Sequence, residues 1–278
     1  MEGSVLTAFG LTLFAGLSTG LGSLIVFFSR KPSLKILSFG LGFSAGVMIF
    51  ISLAELLPQG ATEIGRALGR SAGGWIAHGA FFGGILISAL IDKLVPEPEN
   101  PHEAVSLADL ERVSAGSTAA AEAPSNARPR SLARVGLLTA LVIAIHNFPE
   151  GIATFVSVMS DVSLGLSVAV AVAVHNIPEG ISVAVPVYFS TGSRRKAFLY
   201  SFASGLAEPL GALAVWLVLM PFIGDVMVGV MLAAVGGIMV FISFDELLPT
   251  AREYGHGHME IVGIVLGMAV MAVSLLLL

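Results

Sequence analysis

Val5–Phe28 reads VLTAFGLTLFAGLSTGLGSLIVFF, 24 residues with no Asp, Glu, Lys or Arg. A bilayer-spanning helix needs only about 20 apolar residues, so this stretch is long enough to cross. The whole 278-residue chain has the same character: 55% apolar and 12% charged, the latter about half the share of a soluble domain. Mean hydropathy is +0.91. So little charge cannot cover the surface of a water-soluble enzyme. Charge-poor runs separated by polar breaks predict eight helices, at 5–28, 36–57, 73–94, 134–159, 162–188, 198–221, 226–248 and 260–278. These runs do not alternate as the strands of a membrane barrel would. The expected fold is all-α, a polytopic membrane protein of eight transmembrane helices.

Net charge is −5, with no basic run beyond Arg194-Arg195-Lys196, so no nucleic-acid surface is expected. The chain has no Cys, which excludes disulfides, thiolate metal sites and Cys nucleophiles. A G-x-x-x-x-G-K-S/T phosphate loop is absent, which excludes ATP hydrolysis by that device. Glu2 is the only early charge, so a cleaved signal peptide is not expected. Of the 14 basic residues, 12 fall in the breaks after spans one, three, five and seven; Arg66 and Arg70 follow span two. Cytoplasmic loops carry the excess of Lys and Arg. Both termini are therefore expected outside the cytoplasm, in the plasma (inner) membrane. Residues 96–133 contain Pro96, Pro98, Pro101, Pro124 and Pro129 among Ala, Ser and Glu, a composition that buries too little apolar surface to fold alone. The expected organisation is one integral membrane domain: 1–95 with helices one to three, a flexible cytoplasmic linker at 96–133, and 134–278 with helices four to eight.

The chain resembles itself. Gly46–Pro58 (GVMIFISLAELLP) and Gly237–Pro249 (GIMVFISFDELLP) share nine of thirteen positions, and Gly16–Leu24 (GLSTGLGSL) matches Gly205–Leu213 (GLAEPLGAL) at five of nine. Helices 1–3 are thus related to 6–8, with 4 and 5 central. By the charge orientation span two leaves the cytoplasm and span seven enters it, so the copies are inverted. Inverted copies suit alternating access around a shared midplane site.

A second duplication is sharper. His146-Asn147-Phe148-Pro149-Glu150-Gly151-Ile152 recurs as His175-Asn176-Ile177-Pro178-Glu179-Gly180-Ile181, six of seven identical, 29 residues later. His and Glu at i and i+4 lie about 40° apart around a helix, one turn apart along it, so both can reach one ion. The intervening Pro lacks an N–H, freeing the carbonyls of Ile145 and Val174. Glu208, beside Pro209, is a third intramembrane carboxylate. Each such charge costs about 2.5–3.5 kcal/mol at the bilayer centre on the most lenient scale. No Lys or Arg lies near these glutamates in sequence. Divalent cations account for the carboxylates, the paired His and the Asn together. Imidazole with carboxylate and amide oxygen suits Zn²⁺, Fe²⁺, Mn²⁺ or Co²⁺, whereas Ca²⁺ and Mg²⁺ prefer oxygen alone. Met48 and Met239 fall at equivalent repeat positions and are read as packing. Two His, two Asn and three Glu exceed what one tetrahedral Zn²⁺ needs, pointing to a two-ion cluster bridged by Glu150 and Glu179.

On these motifs the sequence resembles the ZIP (Zrt-/Irt-like) family of metal-ion transporters over nearly its whole length. The resemblance implies eight helices, both termini outside, homodimers, and import of divalent ions into the cytoplasm: Zn²⁺ foremost, with Fe²⁺, Mn²⁺, Cd²⁺ and Co²⁺. It implies a binuclear substrate site between spans four, five and six. One position would use His146, Glu150, His175 and Glu179; the other would use Asn147, Glu150, Asn176, Glu179 and Glu208. No cofactor or catalytic residue is implied. The linker offers only His102, unlike family members with His-rich versions of this loop. Glu55 at the outer end of span two, and Asp245 and Glu246 at the inner end of span seven, are candidate entrance and exit residues, although helix-end acids are often simply solvated. His256 and His258 are candidate inner receivers, and an exposed HxH is equally a polar turn. His78 reads as an interfacial polar residue. The rival class is an intramembrane metal-dependent hydrolase, which needs an open metal position with water and a general base; the duplicated motif supplies no asymmetric base.

Overall fold

The computed structural model describes residues 5–24, 34–94, 132–222, 224–255 and 258–277. Residues 25–28 of span one, nearly all of the linker with His102, and His256 lie outside the described residues. Among the described residues every regular element is helical. Span one is α1 (Val5–Ser23). Span two is α2 (Leu34–Ile51), a π-helical turn (Ser52–Leu56) and α3 (Leu57–Leu68). Span three is α4 (Arg70–Leu94), span four α5 (Leu132–Ser160) and span five α6 (Val162–Thr191). Span six comprises α7 (Arg194–Gly205) and α8 (Ala207–Ala214), then a π-turn (Val215–Leu219) and a short 3₁₀ turn (Met220–Phe222). Span seven is α9 (Asp225–Ile242), a π-turn (Ser243–Leu247) and α10 (Leu248–Tyr254); span eight is α11 (Met259–Leu277). Seven spans are long and apolar enough to cross a membrane, and span four is a 29-residue helix beside them. The chain is a polytopic all-α membrane protein.

Prolines set the irregularities. Span two does not stop at 57: it continues to Leu68, because Pro58 sits in the first turn of a new helix, where its missing N–H is harmless. The preceding ladder widens, with the Leu57 N–H reaching the carbonyl of Ser52. Pro249 does the same in the second copy, where the Leu248 N–H reaches Ser243. The repeat thus preserves a helix defect as well as a sequence. Span six breaks at Leu206. Pro209 cannot donate to the carbonyl of Gly205, and the flanking bonds Leu206 N–H to Phe202 and Leu210 N–H to Leu206 stretch to 3.3 and 3.4 Å. Between spans four and five only Asp161 intervenes. Its carboxylate caps α6 by accepting from the Leu164 N–H at 2.8 Å, which makes the two HNxPEG helices antiparallel neighbours.

Close backbone contacts reveal the symmetry. On spans one and five, Ala15 and Thr19 meet Asn176 and Gly180, with numbers rising together, so the pair is parallel. On spans six and four, Ser204 and Glu208 meet Asn147 and Gly151 in the same way. Spans one and six cross with opposed numbering, Gly16 against Gly205 and Gly20 against Phe202. At that crossing a methyl on either Gly16 or Gly205 would overlap the carbonyl oxygen of the other. A pseudo-twofold axis through this point relates the two pairs, and the repeats are inverted. Wherever glycines bring backbones this close, both partners belong either to spans one, four, five and six or to spans two, three, seven and eight. The chain is built as two helix groups, and the HNxPEG helices lie in the first.

Candidate metal centre

Span four supplies His146, Asn147 and Glu150, span five His175, Asn176 and Glu179, and span six Glu208. All seven are at most 1% exposed. The His and Glu side chains interlace across the two antiparallel helices. Glu150 Oε1 lies 3.0 Å from His175 Nε2 and 3.2 Å from His146 Nε2, and Glu179 Oε1 lies 3.3 Å from His146 Nε2. His146, Glu150 and Glu179 each offer a ligand atom within 4.8 Å of the others.

The Asn residues are held by backbone. Asn147 Nδ2 donates to the carbonyl of Ser204 (3.3 Å) and Asn176 Nδ2 to that of Ala15 (3.0 Å). Because both partners are acceptors, each amide must present its NH₂ there and leave its oxygen free. Asn176 Nδ2 also donates to Glu208 Oε1. Glu208 sits in the first turn of α8, created by the Pro209 break, where a helix N-terminus favours negative charge. The structure therefore joins His146, Glu150, His175 and Glu179 in one cluster, and Asn176 and Glu208 in a second pair; Asn147 is anchored to span six. Within these seven residues, five buried oxygens make no hydrogen bond to any described residue: Glu150 Oε2, Glu179 Oε2, Glu208 Oε2, Asn147 Oδ1 and Asn176 Oδ1.

Two features were not read from the sequence. Ser44, fully buried on span two, donates to Glu179 Oε1 (3.2 Å) and lies 3.3 Å from the carbonyl of His175, so a side chain of the other helix group touches the cluster. The signal available was a mismatch between copies, since Ser44 aligns with Val235. The second is Glu63, only 3% exposed, which accepts from Gln59 (2.8 Å), Arg66 (2.8 and 2.9 Å) and Ser160 (3.1 Å). It lines a cavity of about 490 Å³ together with Glu55, Ser160, Asp161 and Ser167. Its sequence signal was the polar i, i+4, i+7 spacing of Gln59, Glu63 and Arg66.

Glu55 is half-buried in that cavity. Asp245 is exposed and Glu246 buried in the matching π-turn of span seven. That turn lies at the other end of the molecule, where Gly255 meets Ser38 near the start of span two. His258 is exposed. His78 bonds the Gly74 carbonyl of its own helix at 2.8 Å.

The family described as ZIP zinc transporter matches residues 3–275. The chain belongs to the ZIP zinc transporter family. A zinc transporter ZupT of Lysinibacillus sphaericus is 56% identical over 278 residues, 100% of both chains. One from Streptococcus mutans is 52% identical over 277 residues, 100% of this chain and 99% of the relative. One from Clostridium perfringens is 53% identical over 275 residues, 99% of this chain and 96% of the relative. ZIP proteins are transporters and not enzymes, which sets aside the intramembrane hydrolase. A bilayer-embedded site of imidazole and carboxylate groups agrees with a divalent metal ion as the family's substrate.

Proposed function

We propose that this protein imports divalent metal ions, Zn²⁺ first and also Fe²⁺, Mn²⁺, Cd²⁺ and Co²⁺, into the cytoplasm. The substrate site is binuclear and uses His146, Asn147, Glu150, His175, Asn176, Glu179 and Glu208. The observation that carries this reading is that five acceptor oxygens of the cluster are buried without a donor among the described residues. Each such group costs about 1–3 kcal/mol when left unpaired, and cations satisfy all of them at once. The protein is a single integral membrane domain, a homodimer in the plasma membrane, with both termini extracytoplasmic and the linker cytoplasmic. Glu55 serves the entrance; Asp245, Glu246, His256 and His258 serve the exit.

The cation sheds water at the outward mouth, binds the centre, and is released inward as one helix group shifts against the other. Ser44 is the contact through which the second group meets the occupied carboxylate. Ligands must be neutral His and ionised Glu, so protons compete with the metal and uptake falls on acidification. The test is Zn²⁺ and Cd²⁺ flux into proteoliposomes, with Glu150→Ala as control. Flux in the wild type and none in the variant is expected; a folded, ion-binding wild type without flux defeats the proposal.

A further inference from the structure

Thr19 occupies, in the half formed by spans one and five, the place that Glu208 holds in the half formed by spans six and four. The repeat aligns the two residues. The structure matches them independently: the Thr19 carbonyl packs on Gly180 as the Glu208 carbonyl packs on Gly151, and the residues four earlier, Ala15 and Ser204, each accept an Asn amide. Thr19 is fully buried and its Oγ1 makes no hydrogen bond to any described residue. Neighbouring hydroxyls on α1 turn back onto their own helix: Thr12 to Ala8, Ser18 to Ala15 and Ser23 to Gly20, at 2.6–2.8 Å. Thr19 does not, since the carbonyl one turn back, Ala15, already accepts from Ser18 and Asn176. Its oxygen is left at the crossing of spans one, five and six, 3.1 Å from where a Cβ on Gly205 would lie.

We propose that Thr19 is a further substrate-site residue, a neutral oxygen ligand to the transported ion where the opposite half offers a carboxylate. This rests on the binuclear reading above. Glu150, Glu179 and Glu208 bring three negative charges against the four positive charges of two divalent ions. A fourth carboxylate at position 19 would neutralise the loaded centre in full. Oxygen sites hold divalent cations more tightly as their ligand charge count rises, so the ions would be held rather than passed on. The uncharged hydroxyl keeps the doubly loaded centre short of neutrality, and release stays fast.

The experiment measures Zn²⁺ affinity and stoichiometry of purified protein by equilibrium dialysis, Zn²⁺ release on adding a chelator, and uptake in proteoliposomes. Thr19→Glu is expected to release Zn²⁺ about tenfold more slowly, equivalent to about 1.4 kcal/mol, and to take it up correspondingly more slowly. Thr19→Val keeps the shape and loses the oxygen; it is expected to weaken the looser of two bound ions about tenfold or more at unchanged melting temperature. Wild-type release from Thr19→Glu and wild-type affinity in Thr19→Val overturn the proposal. Should Thr19→Glu fail gel filtration, Thr19→Val decides alone, and wild-type affinity there overturns it. A wild type that binds two ions while neither variant changes sinks only the role of Thr19; a wild type that binds none sinks the binuclear reading with it.

Discussion

The two halves of the site-bearing helix group share a backbone and differ in chemistry. Each has a parallel helix pair locked by glycine against carbonyl, Gly180 on Thr19 in one and Gly151 on Glu208 in the other. Each ties an Asn amide to the neighbouring helix, at Ala15 and at Ser204. The side chains then diverge: Thr19 stands opposite Glu208, and Ser44 of the second group reaches Glu179, while its repeat counterpart is Val235. Inherited symmetry supplies the scaffold, and departures from it make the two halves of the candidate site unequal.

The largest effect that would sharpen this contrast comes from the shared carboxylates. Among the described residues, the Glu150 carboxylate contacts both His rings, whereas the Glu179 carboxylate contacts His146 and Ser44. Glu150→Ala is expected to reduce Zn²⁺ uptake more than about a hundredfold and Glu179→Ala by less, because loss of even an outer partner of a metal ligand typically costs 10–100-fold and Glu150 alone of the two also orients His175 at 3.0 Å. Equal losses in initial-rate measurements would mean the centre is more symmetric than its contacts. Next in size is the scaffold itself. Gly151→Ala and Gly180→Ala each force a methyl onto a carbonyl oxygen, and overpacking of this kind costs about 1–3 kcal/mol. The two melting temperatures should drop together in detergent; a drop in only one breaks the proposed equivalence of the halves.

Ser44→Ala removes one donor from Glu179, a contribution of about 1 kcal/mol. Its expected signature is a few-fold change in the Zn²⁺ KM with the fold intact, and an unchanged KM and rate would detach the second helix group from the centre. The smallest effect is at the mouth. Glu55→Ala should slow uptake only a few-fold and mainly at low ionic strength, as long-range attraction of cations is screened by salt. A loss as deep as that of Glu150→Ala would move Glu55 from the entrance into the binding site.

Much of this was legible in the residues. Span number followed from charge-poor run length, inversion from the GVMIFISLAELLP and GIMVFISFDELLP copies read with the Lys and Arg placement, and the candidate ligands from carboxylates placed where lipid would not tolerate them unpaired. The reach of span two beyond Pro58 was not legible, since a Pro marks either a helix end or a first turn, and only packing decides which. Ser44 and Glu63 escaped for a related reason: a lone Ser in an apolar run, or an acid beyond a Pro, gains meaning only from what stands across the helix interface.

Sequence alone thus determined the eight-span architecture, the internal duplication and the identity of the chemically costly groups, because each is a property of one segment against the bilayer. The tertiary structure alone decided which atoms meet: that His175 faces Glu150 rather than its own Glu179, that Asn176 spends its amide on Ala15 and Glu208, and that Thr19 is left without a partner among the described residues. Those outcomes depend on how separate helices cross, and crossing is fixed by glycines and freed carbonyls hundreds of atoms apart along the chain.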